Sequence, residues 1–192
     1  MPQSTSHYIR CFIAVPLPPD IRDRIDRYLV DLKRINQSVK WVRAENIHLT
    51  LKFFGEIGTE KVEEIKKVLP AISTISSPFM LDISGSGCFP NIRKPRVFWL
   101  GIGRNGLNKL ETLYRWLEDN MFRLGFEKEG RRFSPHLTLG RVKKEADFST
   151  LLEHLEKRPF PATAFEINRI ELIKSELHPQ GARYTTLTGA AL

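Results

Sequence analysis

The sequence of 192 residues is long enough for one domain or two small lobes, and its 41% hydrophobic and 27% charged residues are ordinary for a globular protein. No apolar run is long enough for a transmembrane helix, and the N-terminal residues do not predict a secretory signal. Two cysteines are too few for a disulfide framework, so we expect a cytoplasmic protein. The net charge of +8 favours a polyanionic partner, although a merely solvated basic surface has the same composition.

The first half of the chain alternates apolar runs with helical patterns. The runs predict a buried strand over residues 9–17 and an amphipathic helix over 21–35 with Asp20 as its N-cap. Next come a short strand over 40–43, a strand over 47–55 that Gly55 ends, and a helix over 59–72 with Thr59 as its N-cap.

The second half repeats this alternation. Strands are predicted over 79–90 and 96–102, a helix from 107 that Gly125 ends, a strand over 133–142 and a short helix over 147–158. The last strands are expected within 162–177 and 182–192. The order is not a strict strand–helix alternation, so we predict an α+β fold with two mainly antiparallel sheets, flanking helices and a central cleft. We expect residues 1–192 to form a single bilobal domain.

The tetrapeptide His-Leu-Thr-Leu occurs twice, at residues 48–51 and 136–139. Each copy follows a helix and lies within a predicted strand. In a strand, side chains two positions apart share one face, so each histidine lies beside its threonine and the leucines point to the core. Two such strands across a cleft present two imidazoles and two hydroxyls.

This set of side chains suits the hydrolysis of a phosphodiester. One neutral histidine can remove a proton from the attacking oxygen and one protonated histidine can donate a proton to the leaving oxygen. Two threonine hydroxyls can donate hydrogen bonds to the non-bridging phosphate oxygens, and the scheme requires no metal.

Two alternatives compete with this interpretation. A single His-x-Thr on a strand is usually a surface pair or a satisfied core pair, but two identical copies in equivalent contexts favour function. A zinc site needs three or four ligands, and the nearest acids, Glu45 and Glu56, show no fixed spacing with either histidine.

At these residues the sequence resembles the two-histidine phosphoesterase superfamily. It is most similar to the RNA 2′,3′-cyclic phosphodiesterases, which are also named 2′-5′ RNA ligases. The resembling segments are the opening strand RCFIAVPLP, the motifs WVRAENIHLTLKFFGE and FSPHLTLGR, and the closing hairpin LIKSELHPQGARYTTL.

The resemblance implies a bilobal fold whose cleft holds both motifs. It implies that His48 and His136 are catalytic, that Thr50 and Thr138 bind phosphate, and that no cofactor or metal is needed. The implied reaction opens a terminal 2′,3′-cyclic phosphate to a 2′-phosphate, and the implied partners are RNA ends, including tRNA fragments or nucleotides, with no membrane. The pseudosymmetry leaves open which histidine is the acid; we favour His136 as base and His48 as acid.

Five residues after each histidine stand Phe53 and Arg141, an aromatic ring and a guanidinium that could sandwich a terminal nucleobase. Strict alternation puts both on the leucine face, so this role requires a bulge, which Gly140 would allow beside Arg141. The alternative places Phe53 in the core and Arg141 in a surface ion pair. Further candidates for contacts in the cleft are Tyr184, Arg43 and Arg10.

Two other functions remain open from the sequence. The reverse reaction, joining RNA ends through a 2′-5′ bond, would use the same four residues. A nucleotide- or RNA-binding module without catalysis would be expected to have lost a histidine, and both are present.

Overall fold

The computed structural model describes residues 8–179 and 181–192, and within them the chain forms nine strands and four helices. The strands are β1 (Tyr8–Pro16), β2 (Val39–Trp41), β3 (His48–Gly58), β4 (Phe79–Phe89), β5 (Val97–Ile102), β6 (His136–Val142), β7 (Thr163–Ile167), β8 (Arg169–Glu176) and β9 (Arg183–Ala191). The helices are α1 (Pro19–Ile35), α2 (Thr59–Val68), α3 (Leu107–Arg123) and α4 (Ser149–Lys157). Short 3₁₀ turns lie at Ala44–Asn46 and Leu69–Thr74. The predicted α+β class is confirmed.

The strands form two halves that meet along a narrow seam. One half has the order β7-β4-β5-β6 and the other the order β3-β1-β8-β9, while β2 pairs with β6. All the paired strands of the described residues are antiparallel, as expected. β3 and β6 join the halves through one backbone-paired residue pair, Leu49 and Leu137. This pair connects the two expected sheets into one sheet of nine strands among the described residues.

The helices bury the apolar stripes that their periodicity predicts. Ile21, Ile25, Leu29 and Leu32 of α1 face the core, as do four residues of α3 spaced by three or four positions, from Leu110 to Met121. No helix in the described ranges is long and apolar enough to cross a lipid bilayer.

Several predicted boundaries are wrong for identifiable reasons. Asp20 and Thr59 lie inside the first turns of α1 and α2; Pro18 and Gly58 occupy the N-cap positions, and neither helix has a side-chain cap. The α2 helix ends at Val68 because Pro70 lacks an N–H to continue it, and a 3₁₀ turn follows. Gly55 does not end β3: it adopts a φ of +73° inside the strand, which continues to Gly58.

Candidate active site

The two His-Leu-Thr-Leu copies begin the neighbouring strands β3 and β6, on either side of the seam. The antiparallel register of the seam sets His48 opposite Thr138 and Thr50 opposite His136. The leucines of both copies are buried, whereas all four polar side chains lie partly or fully exposed on the other face. Diagonal residues across such a pair lie about 7–8 Å apart, so His48 and His136 are close enough for both imidazoles to reach one phosphoryl group.

A β-bulge follows the threonine in both copies. In β3 the extra residue is Leu51, because its two neighbours pair with consecutive residues of β1. In β6 it is Leu139, whose neighbours likewise pair with consecutive residues of β5. An extra residue shifts the alternation of side chains by one position. Phe53 and Arg141 therefore return to the face of the histidines.

The two histidines are held in the same way. Nδ1 of His48 lies 2.8 Å from the carbonyl oxygen of Asn46, and Nδ1 of His136 lies 2.8 Å from that of Ser134. A carbonyl oxygen only accepts, so each Nδ1 carries the proton and donates it. In the neutral imidazole the other nitrogen, Nε2, is then an unprotonated acceptor that can act on a substrate.

The aromatic surroundings of the two imidazoles differ. The ring of Phe12 stacks on His48 with centroids 4.5 Å apart, and Tyr184 meets the same imidazole edge-on at 5.3 Å. Burial lowers the pKa of His48 to about 4, against the opposing effect of its hydrogen bond to Asn46. Because its pKa is lowered, His48 is neutral at pH 7 in the free protein. His136 contacts a single aromatic ring, that of Phe89, edge-on at 5.0 Å among the described residues.

The alternative roles suggested for Phe53 and Arg141 are wrong. Phe53 is 51% exposed and not part of the core, and the guanidinium carbon of Arg10 lies 4.6 Å from its ring centroid. Arg141 is exposed, and none of the ion pairs within the described ranges includes it. Burial raises the pKa of Tyr184, whereas Arg141 and Arg10 oppose the rise, so both cations act on this phenol.

A cavity of about 670 Å³ opens beside His48, where β1 ends and β9 begins. Arg43 lines it, as the sequence suggested, but its guanidinium is paired with Glu45 at 3.6 Å. On the cavity wall Glu171 is buried and accepts a hydrogen bond from Thr186 at 2.9 Å. Its other oxygen pairs with Arg169 at 2.7 Å. Much of the cationic charge of this cavity is thus balanced by carboxylates.

Two contributors to the site were not identified from the sequence. Trp99 of β5 pairs with Thr138, and its buried Nε1 has no hydrogen-bond partner among the described residues. Because successive side chains of a strand point to opposite faces, Trp99 points away from the core that holds Phe98. The alternating order of the run VFWL in the sequence could have predicted this. The second contributor is a buried ion pair in which Lys52 Nζ lies 2.7 Å from Glu118 Oε1.

The Lys52–Glu118 pair anchors the segment that leads into β6. Lys52 donates a hydrogen bond to the carbonyl oxygen of Glu127 at 2.7 Å, and Glu118 accepts one from the backbone N–H of Glu129 at 2.8 Å. The two anchored residues lie a few positions before Ser134, whose carbonyl orients His136. The pair therefore connects the strand of the first histidine with the approach to the second.

In the part of the chain that the structure describes, no group of three or more His, Cys, Asp or Glu side chains is arranged to hold a metal ion. Neither Glu45 nor Glu56 joins the two histidines in such a group.

The LigT-like phosphoesterase family model matches the chain twice, over residues 15–99 and 100–184. The two matches divide the chain between its two motif copies, so each half is similar to the same model. This extends the similarity of the halves well beyond the repeated tetrapeptide.

Curated relatives and solved structures agree with this family match. The chain is 37% identical over 180 residues to the RNA 2′,3′-cyclic phosphodiesterase of Methanothermobacter thermautotrophicus, covering 93% of this chain and 96% of the relative. It is 33% identical to the protein of the same name from Methanocaldococcus jannaschii, with coverages of 93% and 98%. The crystal structure of TT0787 of Thermus thermophilus superposes with a TM-score of 0.78 at 27% identity, covering 96% and 98% of the two chains. E. coli LigT complexed with 3′-AMP superposes with a TM-score of 0.71 at 26% identity, covering 97% and 99%.

Proposed function

Because the chain belongs to the LigT-like phosphoesterase family, we propose that it is an enzyme that hydrolyses the terminal 2′,3′-cyclic phosphate of RNA to a 2′-phosphate. The observation that carries the proposal is the duplicated arrangement of His48 with Thr50 and His136 with Thr138. Both pairs share one face, and both histidines donate Nδ1–H to a carbonyl two residues earlier. The names of the curated relatives supply the substrate class.

The proposed reaction needs one base and one acid on opposite sides of phosphorus. Nε2 of one neutral histidine accepts a proton from water as its oxygen attacks. The bond from phosphorus to the 3′ oxygen breaks, and the other histidine, protonated, gives its Nε2 proton to that oxygen. The hydroxyls of Thr50 and Thr138 donate hydrogen bonds to the non-bridging oxygens as negative charge develops there. No step requires a metal or an organic cofactor.

The surroundings of His48 bear on the choice between acid and base. A base must be neutral before the reaction, and burial already holds His48 neutral in the free protein. If His48 is the acid, it must take up a proton together with the anionic phosphate, whose charge favours the imidazolium. The pH dependence of kcat/KM reports the free enzyme, so an essential group that must be deprotonated with a pKa near 4 would indicate that His48 is the base.

We further propose that Phe53 and Arg141 hold the terminal base between them. The matching bulges put both side chains on the face of the histidines, and each offers a flat surface. Arg10 already stacks on one side of the Phe53 ring, so the base would take the other side or displace the guanidinium.

The experiment is hydrolysis of a short RNA that ends in a 2′,3′-cyclic phosphate, with and without EDTA, and chromatographic identification of the phosphate position. We expect a 2′-phosphate product and a rate that EDTA does not change. His48→Ala and His136→Ala should each reduce turnover by roughly 10²–10⁴-fold. His154→Ala on α4, outside the cleft, is the matched control and should retain full activity.

Three results would contradict the proposal. A 3′-phosphate product would mean that the 2′ oxygen, and not the 3′ oxygen, is the leaving group. Loss of activity in EDTA with recovery in zinc would replace acid–base catalysis by metal catalysis. Near-normal turnover in either histidine variant would remove that histidine from the reaction. Incubation of the same RNA with a second RNA carrying a 5′-hydroxyl tests the reverse, ligating reaction.

A further inference from the structure

A second groove lies between the β4–β5 loop and the segment that follows β6. It shares no lining residue with the cavity beside His48. It has a volume of about 520 Å³ and is lined by residues 92–96 and 142–149, together with Leu152. We call it the basic groove. Its cationic side chains are all exposed and are Arg93, Lys94, Arg96, Lys143 and Lys144.

The charge of the basic groove is unbalanced. Five cations face two carboxylates, Glu145 and Asp147, and Asp147 is already engaged by the backbone N–H and hydroxyl of Ser149 at the start of α4. Within the described ranges, none of the five cations takes part in an ion pair. In the cavity beside His48, by contrast, two of the four lining arginines, Arg43 and Arg169, are paired with glutamates. Unpaired cations along a groove attract a polyanion rather than stabilise the fold.

The β4–β5 loop is held in shape before any ligand arrives. The side-chain oxygen of Asn91 accepts hydrogen bonds from the backbone N–H groups of Arg93 and Lys94, at 3.0 and 3.1 Å. The N–H of Arg96 donates to the carbonyl of Phe89 at 2.7 Å. A fixed backbone lowers the entropy lost when these cations bind a ligand.

Both walls of the basic groove begin close, along the chain, to residues of the candidate active site. The β4–β5 loop begins directly after Phe89, which contacts His136. On the other wall Lys143 comes two residues after Arg141, or about 7 Å along an extended chain. The carbonyl of Arg96 accepts the N–H of Val142 at 2.9 Å, which joins the two walls. The groove is therefore only about two residues of chain away from the Phe53–Arg141 position, within reach of the next nucleotides of a bound RNA strand.

We propose that the basic groove binds the phosphate backbone of the RNA on the 5′ side of its terminal nucleotide. The inference rests on the proposed function and deepens it. The terminal nucleotide alone would occupy the cleft, and each further nucleotide would add phosphate contacts in the groove. The substrate class is then an RNA strand rather than a cyclic mononucleotide.

The test compares Lys94→Gln/Lys143→Gln with Lys67→Gln/Arg104→Gln. Both double variants remove two exposed cations that form no ion pair in the described part of the chain. Lys67 lies on α2, and Arg104 follows the end of β5 opposite to the groove. Each variant is assayed with a pentanucleotide and with a mononucleotide, both ending in a 2′,3′-cyclic phosphate.

We expect the groove variant to raise KM for the pentanucleotide roughly 10-fold at 0.1 M salt, with kcat/KM for the mononucleotide unchanged. Fluorescence anisotropy with a labelled oligoribonucleotide ending in a 2′-phosphate gives a reading that needs no turnover. There the slope of log Kd against log salt should fall by about 1.4, the contribution of two phosphate contacts to a single strand. The control variant should match the wild type in all three measurements.

Equal effects of the two double variants, or equal losses on both substrates, would overturn the proposal. If neither cyclic phosphate is hydrolysed, the proposed function fails. The anisotropy result then decides separately whether the groove binds RNA.

Discussion

Protonation of His48 should destabilise the free protein as the pH falls. Burial depresses its pKa from 6.5 to about 4 in the folded state. The unfolded chain therefore binds this proton first, so the contribution to stability is fully present above pH 6.5 and is lost as the pH falls toward 4. Between pH 7.5 and 4.5 such a shift is worth about 2.5 kcal/mol, a large share of the 5–15 kcal/mol typical of a folded domain.

The assay is urea denaturation of the wild type and of His48→Gln at both pH values. Glutamine retains hydrogen-bonding capacity but does not titrate, and the carboxylates common to both proteins cancel in the difference. The wild type should lose about 2.5 kcal/mol more than the variant over this interval. An imidazole of His48 that titrates near pH 6.5 by NMR, together with parallel losses in the two proteins, would refute the reasoning.

Three further predictions concern the side chains around the site. Phe53→Ala should weaken binding of the terminal nucleotide by about 1–3 kcal/mol while changing the free energy of unfolding by less than about 1 kcal/mol, because the ring is half exposed; a large loss of stability with unchanged KM would exclude stacking. Lys52→Met should cost about 3–5 kcal/mol by leaving Glu118 buried without its partner, and adding Glu118→Leu should recover much of that loss in urea denaturation; no recovery would show that the pair is not the cause. Burial raises the pKa of Cys11 to about 11, so its thiol should resist alkylation at pH 8 in the native protein and react in denaturant; equal rates would contradict its burial.

The periodic features of the fold could be predicted from the sequence. The stripes of α1 and α3 and the buried leucines of the repeated word follow from side-chain spacing alone. Helix starts could not be predicted in the same way. Asp20 and Thr59 are favourable N-cap residue types, but α1 begins two positions earlier than predicted, with Pro19 in its first turn, and α2 begins one position earlier, after Gly58.

The four His and Thr positions could be selected because they repeat, whereas the buried ion pair that supports them joins residues far apart along the chain. Lys52 and Glu118 are remote in sequence, and nothing local in either segment marks the pairing. From the sequence, a bulge is only a condition for Phe53 and Arg141 to face the cleft, and Gly140 is the one residue that favours a bulge beside Arg141. In the structure the extra residue of β6 is Leu139 rather than Gly140. A bulge at either of these two positions shifts the alternation of side chains and brings Arg141 to the face of the histidines.

The matching bulges also separate the residues proposed for catalysis from those proposed for base recognition, which a regular strand would place on opposite faces. Before each bulge stand the residues proposed to react, and after it stand those proposed to recognise the base. Positions 53 and 141 can therefore exchange side chains without disturbing the acid–base pair, and variation there offers a route to new base preferences. Deleting Leu51 or Leu139 would have the opposite effect: the histidine would keep its orientation, while the recognition position of that strand would turn into the core.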